Sequence, residues 1–250
     1  MYASDNKKII NIIILLASLY IANSFLEAKK IDWEFIAVQS LIIPLSIMAI
    51  VIHEVSHGYA AYALGDNTAK LAGRLSLNPL KHLDPLGILA ILIIKIGWAK
   101  PVPVNYDAFK KPRRDVFLVA MAGPLANMLI AVFCAFLIKG LIVLFGPQGA
   151  LSAIAEKHHY ALALLIQIIA SGGIYINLIL MCFNLLPIPP LDGSKLLMCI
   201  LPEAPAKKLA AIEPYGIYIL IALVYFKFLD YFIFGAAEKI YEYFKFYILA

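Results

Sequence analysis

The chain has 250 residues, of which 63% are hydrophobic and 15% charged, and its mean hydropathy is +0.86. Soluble domains carry about a quarter charged residues, so this composition excludes an ordinary soluble domain and predicts a protein embedded in a lipid bilayer. The net charge of +5 does not indicate a nucleic-acid partner, because basic residues in a membrane protein mainly mark the loops that stay in the cytoplasm.

Apolar segments long enough to cross a bilayer, which takes about 20 mainly apolar residues, predict an all-α polytopic membrane protein with five to six transmembrane helices. The five segments are 9–26, 35–64, 116–139, 160–186 and 215–235. They leave no room for a separate soluble domain, so we expect residues 1–250 to form one membrane domain. Its core is expected at about 35–200, with the first and last spans peripheral.

A sixth apolar run, 86–98, is too short to cross comfortably and contains Lys95. If it crossed, the basic cluster at 110–114 would lie on the opposite side of the membrane from the basic residues between 70 and 81, against the usual placement of positive charge. We therefore predict that residues 71–105 form a re-entrant, partly β-hairpin segment and that the N-terminus is cytoplasmic. The alternative is a plain connecting loop.

The segment 35–64 contains the motif H-E-x-x-H as His53, Glu54 and His57. In a helix the two histidines lie four residues apart on one face and can reach one ion. The alternative, two core histidines and a structural glutamate, places three ionisable residues in a spanning helix without compensation. The motif therefore predicts one Zn²⁺ per chain, with Glu54 as the general base that deprotonates the zinc-bound water.

A catalytic zinc site needs a third protein ligand and an open position. The candidates include His82 and several aspartates, of which Asp192 stands in the stretch FNLLPIPPLDGSK at 183–195. Its prolines prevent a continuous helix and leave a rigid, irregular backbone at membrane depth with one carboxylate on it. We therefore predict Asp192 as the third ligand.

Several stretches together resemble the site-2 protease family of intramembrane zinc metalloproteases. HEVSHG is followed far downstream by LLPIPPLDG, and the stretches 72–87, 97–105 and 112–128 are similar to the small prokaryotic branch of that family, without a PDZ-like or CBS-like insertion. The resemblance implies that His53, His57 and Asp192 hold the zinc and that Glu54 is the base.

The resemblance also implies that Asn127, in AGPLAN, faces the active site, where its amide is suited to donate to an oxyanion or a substrate carbonyl. The alternative for Asn127 is a helix–helix hydrogen bond. Asn184 is a weaker candidate for a supporting or substrate-binding role. Val102 and Val104, which alternate with prolines in WAKPVPVNY, are weaker candidates for an edge strand that pairs with an unwound substrate.

The function implied by this resemblance is a zinc-dependent endopeptidase that cuts within or near transmembrane segments of membrane proteins or leftover signal peptides. The loop charges place its site near the cytoplasmic face of the cell membrane. The rival interpretation is a non-proteolytic zinc-binding membrane protein, either a pseudoprotease or a metal carrier. Glu54 favours the protease, since metal binding does not require a carboxylate beside the first histidine. No pattern in the sequence predicts an oligomeric state.

Overall fold

The structure, a computed structural model, describes residues 33–84, 100–145 and 160–249. These residues are mainly helical and form no β-sheet. The predicted span 9–26 and the short apolar run 86–98 lie outside the described residues. The α-helices are α1 (Trp33–Ala63), α2 (Thr68–Leu71), α3 (Pro112–Phe145), α4 (Tyr160–Asn184), α5 (Asp192–Ile200), α6 (Glu203–Ile212), α7 (Gly216–Tyr225) and α8 (Asp230–Phe244).

Three of the predicted spans, 35–64, 116–139 and 160–186, correspond to the long helices α1, α3 and α4. Among the described residues, two stretches are long and apolar enough to cross a membrane, Ser40–Ala63 in α1 and Pro112–Leu144 in α3. The full set of five to six spans therefore remains a prediction.

Helix α3 forms the centre of the bundle and contacts both α1 and α4. Small residues allow the close approach, since Ala131 and Ala135 of α3 are fully buried against a cluster that includes Ile174 and Leu178 of α4. Burying such aliphatic side chains stabilises soluble folds by about 1.5–3 kcal/mol each, whereas inside a bilayer close packing supplies the attraction. The bundle thus fixes α1 and α3 side by side.

The chain reverses after α4, and the short helix α5 returns to pack against α3. This return brings Asp192, the first residue of α5, back toward the bundle. Gly193 permits the tight packing, because a Cβ there would collide with the carbonyl oxygens of Leu185 and Leu186. The glycine is therefore required by the close approach of the backbone at residues 185–186.

The predicted span 215–235 is not one continuous helix. It is divided into α7 and α8, and Lys227, between them, has a φ of 56°. This left-handed conformation interrupts a helix, and apolar composition does not reveal where it occurs. Helix α8 then packs against α4 through a face that includes Ala237 and Phe244.

The two described ends of the predicted hairpin segment 71–105 come together. The amide of Lys100 donates to the carbonyl of His82 at 2.8 Å, and Nη2 of Arg74 donates to the carbonyl of Lys100 at 2.7 Å. Because residues 85–99 lie outside the described residues, the hairpin itself stays a prediction.

The far end of the segment 100–105 is tied to the loop after α1. Asp66, which is buried, accepts a hydrogen bond from the amide of Asn105 at 2.8 Å and further bonds from Thr68. Burial alone would raise the pKa of the Asp66 carboxyl, but these hydrogen bonds outweigh burial and hold the pKa below its usual range. The segment is therefore fixed at both ends beside α1.

Candidate metal centre

Two residues of α1 and one of α5 converge at the centre of the site. Nε2 of His53 and Nε2 of His57 lie 3.1 Å apart, and each is 3.1 Å from Oδ2 of Asp192. All three residues are buried, and one ligand atom from each lies within 4.8 Å of the others. The spacing of the H-E-x-x-H motif places the histidines on one helical face, and the return of α5 supplies the carboxylate.

The remaining ring nitrogens are bonded to acceptors, and this determines which nitrogen carries the proton. Nδ1 of His57 lies 2.7 Å from the carbonyl of Val119, and Nδ1 of His53 lies 2.6 Å from Oδ1 of Asn127. A carbonyl oxygen only accepts hydrogen bonds, so both histidines donate from Nδ1. Their Nε2 lone pairs therefore point toward each other and toward the Asp192 carboxylate.

Three lone-pair donors that converge in this way fit a divalent cation. Two imidazole nitrogens and one carboxylate oxygen are ligands that zinc accepts, and histidine ligands in proteins usually donate their other N–H to a carbonyl or carboxylate. Without a shared cation the three groups would repel one another in a buried setting. The donor set therefore matches the zinc predicted from the sequence.

A carboxyl group binds a metal in its ionised form. A divalent cation shared with His53 and His57 would favour that charged form of Asp192.

A cavity of 160 Å³ opens beside the three ligands. Glu54 lines it without joining the ligand cluster, and its Oε2 accepts a hydrogen bond from the amide of Val102 at 2.9 Å. The other weaker candidates, Val104 and Asn184, also line the cavity. The fold therefore brings the motif glutamate, the three converging side chains and the segment 100–105 to one concave site.

Asn127 lies behind His53, away from the cavity. It is fully buried and is absent from the cavity lining, and its amide nitrogen donates to Oδ1 of Asn177 at 2.7 Å and to the carbonyl of Ala49 at 3.4 Å. With both N–H groups engaged, Asn127 cannot also donate to an oxyanion in this arrangement. The geometry therefore places Asn127 where it orients His53, and its role as an oxyanion donor stays a prediction.

Asn177 continues this series of hydrogen-bonded side-chain amides and fixes which group in each hydrogen bond donates. Its Nδ2 donates to the carbonyl of Gly173 at 2.7 Å, which turns its oxygen toward Asn127 and hence the Asn127 oxygen toward His53. The sequence signal was an amide within the apolar segment 160–186, but only the packing of α4 against α3 shows what it contacts.

Lys195 is a second residue that the sequence did not single out. It lies one turn after Asp192 on α5 and lines the cavity, with its Nζ 5.9 Å from the ring centre of Tyr106. Burial alone would lower its pKa, but the neighbouring Tyr106 and Asp192 outweigh burial and raise the pKa of Lys195. The cavity therefore contains a stable positive charge beside the ligands.

Gly123 of α3 keeps space free beside the two histidines. A Cβ at this position would lie 2.5 Å from Nε2 of His57 and 2.6 Å from Nε2 of His53. The rings are held from behind by the Val119 carbonyl and by Asn127, so they have little freedom to retreat. A methyl group here would therefore occupy the space beside the metal-binding atoms.

The substitution Gly123→Ala is expected to lower zinc affinity by about 10- to 100-fold, the range seen when the surroundings of a metal ligand are disturbed. Zinc content measured by atomic emission after dialysis against a weak chelator would check this expectation. Gly140→Ala is the matched control, because it lies on the same helix and a Cβ there would meet nothing within 4 Å. Equal zinc content in both variants would contradict the prediction.

Comparison with known proteins agrees with this site. The sequence profile described as peptidase family M50 matches residues 40–226, which is well over half of the chain and includes His53, His57 and Asp192. No solved structure gives a significant match.

Curated relatives cover most of the same region. YwhC of Bacillus subtilis is 41% identical over 177 residues, which is 71% of this chain and 76% of that protein. Rip2 of Mycolicibacterium smegmatis is 30% identical over 194 residues, or 76% and 68% of the two chains. MJ0611 of Methanocaldococcus jannaschii is 38% identical over 113 residues, which is 45% of this chain and 49% of that protein. Each of these relatives carries the description "Putative zinc metalloprotease". With the family profile, the ligand geometry and two relatives in agreement, this chain belongs to peptidase family M50, the site-2 protease family, and is a zinc metalloprotease.

Proposed function

We propose that this metalloprotease is an intramembrane endopeptidase that cuts peptide bonds within or near the transmembrane segments of single-span proteins or leftover signal peptides. The observation that carries the proposal is the position of the motif. His53, Glu54 and His57 lie inside the apolar stretch Ser40–Ala63, so a substrate must reach them at membrane depth. An ionisable cluster at that depth is a functional site by default.

The charged loops support a cytoplasmic location for the site. His57 lies near the Ala63 end of α1, and the loop beyond that end carries Lys70 and Arg74. The exposed residue Arg113 stands at the start of α3, on the same side, because Val119 lies against His57. An excess of basic residues marks cytoplasmic loops, so cleavage is expected near the cytoplasmic face of a multi-pass protein of the cell membrane.

The residues of the site have different roles in the proposed reaction. His53, His57 and Asp192 would hold the zinc, and the carbonyl of Val119 and the amide of Asn127 keep the two imidazoles in the ligating tautomer. When bound, zinc supplies Lewis acidity for a carbonyl oxygen and lowers the pKa of a coordinated water to about 7.

Glu54 acts as the general base. Its carboxylate takes a proton from the attacking water and then passes that proton to the nitrogen of the leaving amine. With the donors of Asn127 engaged elsewhere, Lys195 is the cavity-lining cation suited to stabilise negative charge on the scissile carbonyl oxygen. Asn184 lines the same cavity and keeps its weaker assignment as a substrate contact.

An unwound substrate segment needs partners for its freed backbone groups, since unpaired groups are costly away from water. Residues 100–105 supply such partners beside the cavity. The Val102 amide is engaged by Glu54, whereas the Val104 amide makes no hydrogen bond within the described part of the chain. We assign the substrate's backbone contact to Val104 and to the Val102 carbonyl, by strand addition. Residues 35–200 would then form the core of a single membrane domain.

The test is cleavage by the purified full chain in liposomes, against a panel of single-span substrates that carry soluble reporters on each side. Mass spectrometry of the products would locate the cut. Cleavage inside the span that stops on zinc chelation and resumes when zinc is restored would support the proposal. Cleavage only in soluble loops, with the spans intact, would contradict intramembrane action even if the protein proved to be an active metalloprotease.

A further inference from the structure

The run Pro101-Val102-Pro103 passes directly beside the base and offers it one backbone donor. Proline has no N–H group, so only Val102 can donate within this run. Its amide lies 2.9 Å from Oε2 of Glu54. A hydrogen bond to an ionised carboxylate is shorter and stronger than one between neutral groups.

The side chain of Val102 is fixed against the same face of α1 that carries the glutamate. Val102 is buried at 7% exposure, and it packs on Gly58, which lies one helical turn after Glu54. A Cβ at Gly58 would lie 3.0 Å from Cγ1 of Val102 and 2.6 Å from Cδ2 of Leu75. A side chain at position 58 would press on Val102 and Leu75, so the glycine favours the close approach that brings the Val102 amide to Glu54.

Hydrogen bonds on both sides of Val102 hold the segment in place. The Lys100 backbone is bonded at both its amide and its carbonyl, to His82 and Arg74, and the Asn105 amide is bonded to the buried carboxylate of Asp66. The Val102 amide is therefore a preorganised donor whose position does not depend on Glu54 itself.

We propose that the backbone amide of Val102 is a positioning group for the catalytic base. It holds one carboxylate oxygen of Glu54, which fixes the rotamer of a flexible side chain and leaves the other oxygen to exchange protons with water and the leaving amine. Holding a catalytic group in its reactive orientation removes the cost of ordering it during the reaction. This inference rests on the proposed function, because it assumes that Glu54 is the base.

The test exchanges the Val102 amide for an ester in the full-length protein. Nonsense suppression with the α-hydroxy acid analogue of valine keeps the side chain and replaces the N–H group with an oxygen, which cannot donate; the Pro101 carbonyl, which becomes an ester carbonyl, accepts no hydrogen bond within the described residues. We expect kcat for a single-span substrate to fall by about 10- to 100-fold, the effect of losing one hydrogen bond to a charged group. KM and zinc content are expected to stay at the wild-type values.

Two control variants show whether a loss of kcat is specific to the Val102 N–H group. The same exchange at Lys110, an exposed residue outside the cavity, controls for ester incorporation and is expected to leave kcat unchanged. Val102→Ala keeps the amide and is expected to lose less kcat than the ester, as a positioning role of the backbone requires.

The possible results separate this inference from the proposed function. A Val102 ester with wild-type kcat, beside an inactive Glu54→Gln variant, would overturn the inference and leave the proposed function intact. A raised KM with unchanged kcat, or a loss of zinc, would also overturn it, because the amide would then contact substrate or serve only the fold. If the Glu54→Gln variant cleaved as fast as the wild type, Glu54 would not be the base, and this inference would fail while intramembrane cleavage itself stood.

Discussion

Glu54→Gln is expected to slow peptide-bond cleavage by about 10²- to 10⁴-fold, the usual contribution of a general base, while the protein keeps its zinc. The amide of glutamine cannot accept a proton from water at neutral pH, so the step that needs a base is lost. Zinc is retained because Glu54 is outside the group formed by His53, His57 and Asp192. Glutamine also retains an oxygen that can accept the hydrogen bond from the Val102 amide. The position of the side chain and of the segment 100–105 should therefore stay the same.

Initial cleavage rates at saturating substrate, paired with zinc content per protein, would check this result. Glu203→Gln is the matched control, since Glu203 is exposed and forms only a surface pair with Lys207, and such pairs contribute little. A Glu54→Gln variant that cuts as fast as the wild type would remove Glu54 from the mechanism. One that loses both zinc and activity would show that the glutamate supports the metal site instead.

Asp192→Asn is expected to lower zinc affinity by more than about 100-fold, beyond the range for disturbing a ligand's surroundings, and to remove activity at ordinary zinc concentrations. The substitution keeps the size of the side chain but removes the negative charge that lies 3.1 Å from both imidazole nitrogens. Competition with a chromophoric zinc chelator would measure the affinity. Partial recovery of cleavage at high zinc concentration is expected, because both histidines remain.

Asp107→Asn is a suitable control for this substitution. Asp107 is an exposed residue in the turn Tyr106–Ala108, close in sequence to the cavity-lining segment but outside the ligand group. Unchanged zinc affinity in both variants would mean that Asp192 is not a ligand, and the third ligand would then have to be sought elsewhere.

The sequence predicted the three converging side chains, and for the two histidines the reason is short-range geometry. His53 and His57 share a helical face whenever residues 49–64 form a helix, and the prolines before Asp192 guarantee an irregular backbone around it. The helices α1, α3 and α4 could also be predicted from the sequence, since a long apolar run in a membrane protein has few alternatives to a helix. The break at Lys227 was not, because a single residue with positive φ leaves no mark in the hydropathy pattern.

The sequence by itself therefore determined the class of protein, the three long helices and the identity of the converging His53, His57 and Asp192 side chains. Only the tertiary structure decided what surrounds them. The direction of the Asn177–Asn127–His53 hydrogen bonds depends on how α3 and α4 are rotated against each other, and the space beside Gly123 exists only because α3 packs on α1. The bond from the Val102 amide to Glu54 joins atoms 48 positions apart in the chain. Such contacts depend on ångström-scale packing between distant segments, which local spacing does not encode.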